Sequence, residues 1–286
     1  MSSTPFGTVG IVGLGLIGGS VALAARATWP SLRIVAVDRR AVLDDARAAG
    51  AIDAGTETLD AAAEADLVVL AAPVRQNLEL LPQLPGRVKR TAVVTDVGST
   101  KRDIVEVAAA LPDGVTFVAG HPIAGAAVGG FANAQADLFR NRPWLFTPSE
   151  RTDPAAVSAL SSFVAALGAE PGVMTLAEHD RVFAYVSHLP QLVVSALMSV
   201  AGGAVGGGGL ALSGRGLLDT TRLASSPSDI WRDVAAVNAD QIGPALDSLI
   251  AVLQRLRDDL PTGRYLTDLF ADAARWRDEL VQRSQL

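Results

Sequence analysis

The sequence has no cysteine among its 286 residues, and that one absence removes disulfides, thiolate metal sites and cysteine nucleophiles together. Positive charge is also sparse: 24 Lys and Arg stand against 30 Asp and Glu, for a formal net charge of −6. A nucleic-acid surface needs clustered positive charge to displace counterions, so nucleic acid is not an expected partner. The start of the chain, Met1 to Gly7, lacks the basic residues and apolar run of a signal peptide. Apolar stretches such as Leu189 to Val205 are interrupted by Pro190, Gln191, Gly202 and Gly203. This stretch reads as a buried helix in preference to a membrane span, which needs about 20 largely uninterrupted apolar residues. The expectation is a cytoplasmic protein without a metal that works on small molecules, away from membranes.

What is present is a globular balance, 49% hydrophobic and 19% charged, over a length that suits two domains. The first half alternates short β-branched runs with stretches of helical length. The runs are Val9 to Val12, Ile34 to Val37, Leu67 to Leu70, Val93 to Thr95, Thr116 to Val118 and Trp144 to Phe146. That rhythm predicts an α/β domain of the Rossmann type, a doubly wound parallel sheet covered on both faces. A helix over Pro154 to Leu167 and an edge strand over Gly172 to Leu176 close the domain, which is expected to span residues 1–177. From about Glu178 onward only helical spacing appears, with Trp231 to Arg257 and Thr267 to Val281 read as helices and Gly206 to Gly209 as a loop. Residues 178–286 are expected to form an all-α domain.

The segment from Val9 to Ser20 carries G-x-G-x-x-G, with Gly13, Gly15 and Gly18 lying between a strand and a helix that starts near Leu16 and Ile17. In that context Gly13 makes the turn, Gly15 admits a pyrophosphate, and Gly18 allows close packing of helix on strand. Asp38, at the end of the second run, is placed to accept ribose hydroxyls and to repel a 2′-phosphate, so NAD is the expected cofactor. Arg39 and Arg40 keep NADP open as an alternative, because a guanidinium binds such a phosphate.

Ligands of open α/β sheets bind outside the carboxyl ends of the strands, which draws attention to Ala71-Ala-Pro73, Asp96 to Lys101 and Gly120 to Gly125. Pro73 is read as part of the cofactor site. His121 is the candidate general base: its ordinary pKa near 6.5 lets it take a proton from a hydroxyl as hydride leaves the same carbon. Ser99 is expected to orient its ring, and His179, beside Glu178, is read as part of a helix start.

The segments Gly13 to Gly18, Asp96 to Lys101 and Gly120 to Gly125, with Leu138-Phe and Trp144, resemble the prephenate/arogenate dehydrogenase family. The resemblance continues through His179-Asp180, Ser187-His-Leu-Pro190, Asp219-Thr-Thr221-Arg222 and Trp231, so that it runs from about Val9 to Asp258. It implies oxidative decarboxylation of a cyclohexadienyl acid by NAD(P) in tyrosine biosynthesis, with the helical part forming a homodimer. By the same resemblance His121 is the base, supported by Ser99. His188, Asp219, Thr221 and Arg222 bind substrate, and Trp231 packs in a core or an interface. A substrate carboxylate suits Arg222, because guanidinium grips it through paired hydrogen bonds.

The chain departs from the family at Ala126-Ala127, where members often carry Ser/Thr-Glu, at Gln191 in place of a second histidine, and at Leu217-Leu218. Prephenate ranks first as substrate, ahead of arogenate and a 4-amino analogue of prephenate. Two rival readings stand beside this one. A β-hydroxyacid dehydrogenase needs a lysine from its helical domain, whereas the only lysines here are Lys89 and Lys101. An NAD-binding sensor without chemistry leaves His121, Ser99 and Arg222 unexplained.

Overall fold

A computed structural model describes residues 4–112, 115–125 and 128–284. Eight strands form one sheet: β1 (Thr8–Val12), β2 (Arg33–Val37), β3 (Ala54–Thr56), β4 (Leu67–Leu70), β5 (Val93–Asp96), β6 (Thr116–Pro122), β7 (Pro143–Thr147) and β8 (Glu170–Val173). Their order is β3-β2-β1-β4-β5-β6-β7-β8. The first six are parallel, β7 runs antiparallel to β6, and β8 lies parallel to β7. The order reverses between β1 and β4, and a dinucleotide binds at such a switch point.

Five helices connect the strands: α1 (Leu16–Thr28), α2 (Arg40–Ala48), α3 (Val74–Leu80), α4 (Arg102–Ala109) and α5 (Pro154–Ala166). Strand residues point alternately to the two faces. Accordingly Val9, Ile11, Ile34 and Leu67 join one buried cluster with α1 and α5, while Val12, Val68, Leu70 and Val94 join a second with Ile104 of α4. The doubly wound sheet is therefore as expected from the sequence. β3 lies outside that expectation, since Ala-Gly-Thr carries almost no strand signal and is held by its pairing to β2. The last strand lies two to three residues earlier than predicted, because Glu170 and Pro171 pair with Pro143 and Trp144 on a sheet edge, where alternation is weak.

The all-α part begins at α6 (Leu176–Phe183), started by a capping box between Thr175 and Glu178. A single π-helical turn, Ala184–His188, leads into α7 (Leu189–Leu210). The glycine cluster is not a loop. The helix passes through it with one break at Gly206, whose φ of 60° is open to glycine and strained for other residues. Nor is α7 buried within the chain: of its residues only Gln191 is, and Val200 is 70% exposed. The whole stretch Leu176–Leu210 is long and apolar enough to cross a membrane by length and composition. It nevertheless carries four buried polar residues, His179, Asp180, His188 and Gln191. Three further helices follow, α8 (Arg215–Thr220), α9 (Ser228–Val237) and α10 (Ala239–Asp259), and then α11 (Arg264–Ser284). The predicted single helix from Trp231 to Arg257 is thus two, parted at Asn238, whose φ of −113° and ψ of 25° leave the helical region.

By internal packing the chain forms two units, Met1–Ala239 and Asp240–Leu286. The change from α/β to all-α falls between β8 and α6, inside the first unit.

Candidate active site

The glycine turn follows β1. Gly13 has φ of 95°, and a Cβ there would lie 2.7 Å from the backbone of Ala71 and Ala72. At Gly18 a Cβ would overlap the Gly13 carbonyl oxygen, whereas at Gly15 it would meet no protein atom within 4 Å. The three glycines therefore do different things: two are demanded by the protein's own packing, and Gly15 keeps a space open beside the start of α1. That helix has no side-chain cap, so the N–H groups of its first turn, at Leu16 and Ile17, are available to an anion. Asp38, just past the end of β2, accepts hydrogen bonds from Leu14 N at 2.6 Å and Arg39 N at 2.7 Å. Its carboxylate is thereby fixed against the turn with lone pairs to spare. Arg40 is committed to Asp44, while Arg39 is exposed. Pro73 caps α3, and the turn before it is held by the buried Asn77, which donates to the carbonyls of Leu70 and Ala72. This open cradle fits a dinucleotide.

His121 lies near the carboxyl end of β6, 8% exposed. Its Nδ1 is 2.9 Å from Nε2 of His179, whose own Nδ1 is 2.8 Å from Oδ1 of Asp180. The ring of Phe183 packs against both imidazoles at 4.6 Å. His179 thus corrects the expectation from sequence: Thr175 and Glu178 supply the helix start, and the His179 ring is fully buried against His121. The ring of His121 is oriented by His179, and Ser99, partly buried before α4, makes no hydrogen bond to it among the described residues. Asp180 also accepts from the main-chain N–H groups of Lys101 at 2.8 Å and Arg102 at 2.9 Å, capping α4 from another element. Below the histidines the buried Lys101 ammonium pairs with Asp96 and donates to the Gly120 carbonyl at 2.8 Å. This ties the end of β5 to the strand that carries His121.

The third histidine, His188, is fully buried at the end of the π-helical turn, a local irregularity often found at functional sites. Its Nδ1 is 3.1 Å from the side-chain nitrogen of Asn238, its Nε2 has no partner among the described residues, and its ring meets Trp231 edge-on at 6.1 Å. All three histidines of the chain therefore stand in one cluster. Burial pushes the pKa of each downward, well below the ordinary value for His121 and to about 4 for His188. Burial likewise raises the carboxyl of Asp180, but the hydrogen bonds from His179, Arg102 and Lys101 more than offset it and keep the group ionised.

The segment expected to bind substrate carboxylate lies farther along. Arg222 opens a short 3-10 turn, is exposed, and makes no ion pair among the described residues. Asp219 faces Arg215 across one turn of α8, and the Thr221 hydroxyl donates to the Leu217 carbonyl. Neither side chain is shown joining the histidines. Gln191, the departure from a second histidine, acts as a structural link. It donates to the Leu223 carbonyl at 2.8 Å and accepts from the Ser226 hydroxyl at 3.1 Å, which fastens the turn that bears Arg222 to α7. Ala126 and Ala127 lie outside the described residues. Among the described residues no group of three or more acidic or histidine side chains is arranged to hold a metal.

Residues 21–172 match the family model described as prephenate dehydrogenase, nucleotide-binding domain, and residues 175–270 match prephenate dehydrogenase, dimerization domain. The chain belongs to the prephenate dehydrogenase family. The prephenate dehydrogenase of Bacillus subtilis is 33% identical over 97% of this chain and 77% of its own length. Among solved structures, prephenate dehydrogenase from Aquifex aeolicus in complex with hydroxyphenyl propionate and NAD+ superposes with a TM-score of 0.86, at 28% identity, covering 98% of this chain and 99% of that one. The arogenate dehydrogenase of Synechocystis has a TM-score of 0.80 at 30% identity, over 96% and 99% of the two chains. The protein is accordingly an oxidoreductase of the NAD(P)-dependent class that acts on a cyclohexadienyl substrate in aromatic amino-acid biosynthesis.

Two outcomes follow from the geometry. Gly15→Ala should leave the melting temperature within about 2 °C of wild type yet weaken dinucleotide binding at least tenfold by titration calorimetry, whereas Gly18→Ala should lower stability itself; equal effects of the two would contradict the division of roles. His188 is neutral in the fold and faces Asp180 and His179, and its pKa falls from 6.5 to about 4. A depressed pKa contributes stability that is fully present above the unfolded value and lost as the pH drops toward the folded one. Urea midpoints should therefore decline between about pH 6.5 and pH 4, and decline less in His188→Gln.

Proposed function

We propose that the chain oxidises prephenate to 4-hydroxyphenylpyruvate with release of carbon dioxide, using NAD as the acceptor. The observation that carries this reading is His121: a buried, neutral imidazole at the carboxyl end of a strand in the sheet that holds the dinucleotide cradle, with one ring nitrogen engaged by His179. Bound NAD supplies a hydride acceptor. The substrate hydroxyl proton passes to Nε2 of His121, the C–H pair of the same carbon leaves as hydride, and loss of the ring carboxylate as carbon dioxide returns an electron pair that makes the ring aromatic. The guanidinium of Arg222, without an ion pair among the described residues, supports a role in holding a second carboxylate, since such groups form strong bidentate pairs. His188 supplies a further donor. Asp38, anchored beside the glycine turn, supports NAD over NADP. Ser99, Asp219 and Thr221 belong to this reading as site residues that close on the substrate.

We further propose a homodimer built through the all-α part. Exposed apolar side chains along α11, Phe270, Trp276 and Leu280, support it together with the dimerization-domain match. Sedimentation should give twice the chain mass of 29.5 kDa, and a monomer at micromolar concentration would count against it.

NADH formation with prephenate, arogenate and the 4-amino analogue side by side tests the substrate, with prephenate expected to give the highest kcat/KM. His121→Asn should lower kcat by about 10²–10⁴ while NAD binding survives. Arg222→Gln should act mainly on KM, by roughly 2–4 kcal/mol of lost binding; a KM within twofold of wild type would remove Arg222 from the substrate site.

A further inference from the structure

Two histidines of the cluster have different jobs in the proposed reaction, and the hydrogen bonds around them have a definite direction. An ionised carboxylate only accepts, so the short contact between Asp180 Oδ1 and His179 Nδ1 requires the proton to sit on that nitrogen. A neutral imidazole has one donor and one acceptor, which leaves Nε2 of His179 as a lone pair. The contact from that lone pair to His121 Nδ1 then requires His121 Nδ1 to carry the hydrogen. His121 Nε2 is left bare, the state a general base needs.

The second chain of bonds leaves from the main chain of the same residue. The carbonyl of Asp180 only accepts, so the Asn238 amide must turn its nitrogen toward it, at 3.0 Å. The same NH₂ group has a second hydrogen, and its other neighbour is His188 Nδ1 at 3.1 Å. His188 Nδ1 therefore accepts, and the ring proton is forced onto Nε2. That N–H is fully buried and has no partner among the described residues. A buried donor left unsatisfied is costly, and the cost is relieved when a ligand oxygen accepts from it.

We infer that His179, Asp180 and Asn238 are positioning residues that impose opposite tautomers on the two working histidines, making His121 an acceptor and His188 a donor at Nε2. Asp180 is the common origin, through its carboxylate for one ring and its carbonyl for the other. The pairing suits a ligand that offers a hydroxyl hydrogen at one place and an oxygen lone pair or carboxylate at another, and its catalytic meaning rests on the proposed dehydrogenase reaction. The arrangement also prepares the charged state. When His121 takes a proton at Nε2, its Nδ1 hydrogen already points down a line of acceptors ending in a carboxylate, so the imidazolium is stabilised without any group having to turn.

With three histidines in the chain, long-range nitrogen–proton NMR of the full protein labelled with ¹⁵N-histidine reads all six ring nitrogens at pH 7.5. The expected pattern is a hydrogen on Nδ1 of His121, Nδ1 of His179 and Nε2 of His188, with the other three nitrogens bare. A hydrogen on Nε2 of His121, or on Nδ1 of His188, overturns the inference, and this reading on the wild-type protein needs no variant to fold. In His179→Phe the His121 signals should show both tautomers, and kcat should fall by about 10²-fold or more while NAD affinity holds, since a misplaced ring proton costs a comparable or larger factor in a serine protease triad. A kcat within threefold of wild type with the His121 pattern unchanged would also overturn it. Asn238→Ala should release the His188 tautomer and raise KM at least fivefold. If the wild-type pattern is found but no cyclohexadienyl acid is turned over, the reaction assignment fails and the wiring stands; turnover with the contrary pattern separates them the other way.

Discussion

The hydrogen bonds of Asp180 hold the site together. One carboxylate receives the main-chain N–H groups of Lys101 and Arg102 at the start of α4 and the ring N–H of His179 on its own helix. The first two bonds dock α6 against the start of α4, and the third fixes the His179 ring that meets His121. A carboxylate this buried is tolerable because all its partners are fixed donors, which substitute for lost water. Removing it would leave the two main-chain donors of a helix terminus and a histidine ring without their partner at once.

Beneath it lies a second buried charge, the Lys101 and Asp96 pair, in which the lysine does something quite unlike a catalytic amine. Its ammonium is fully enclosed, paired with Asp96 and bonded to the Gly120 carbonyl. It cannot reach a substrate, so the chemistry of a lysine-dependent β-hydroxyacid dehydrogenase has no foothold here. Buried pairs add little net stability over apolar packing. What this one provides is register: β5 and β6 are held so that Ser99 and His121 leave the sheet at fixed heights. Lys101 also bears on the histidines electrostatically, adding to the burial that keeps His121 neutral.

The cofactor side depends on shape more than charge. Gly13 and Gly18 are set by contacts inside the protein, and Gly15 by the space it leaves. Asp38 is held by the turn it flanks, so its carboxylate and the glycine turn form one piece at the switch point of the sheet. Among the helical segments, Gln191 ties the Arg222 turn to α7. A residue that looks like a loss from the family pattern is, in this chain, a fastening.

The parallel sheet, the glycine turn with Asp38, and His121 at a strand end are all legible along the chain. Each rests on a local pattern of periodicity, turn chemistry or spacing, written over a few neighbouring residues. Which side chain holds His121 is not legible there. His179 is 58 residues away in the chain and Asn238 is 50 from His188, and a lone His-Asp pair near a capping box carries no sign of the ring it will face. The same holds for β3, which exists only because β2 offers an edge, and for the helix running to Gly206, where one residue's backbone angles, and not the composition of the cluster, place the break. Local propensity names the residues that are able to act; packing across distant segments sets which nitrogen carries the proton, because hydrogen-bond direction is fixed only when every partner is in place.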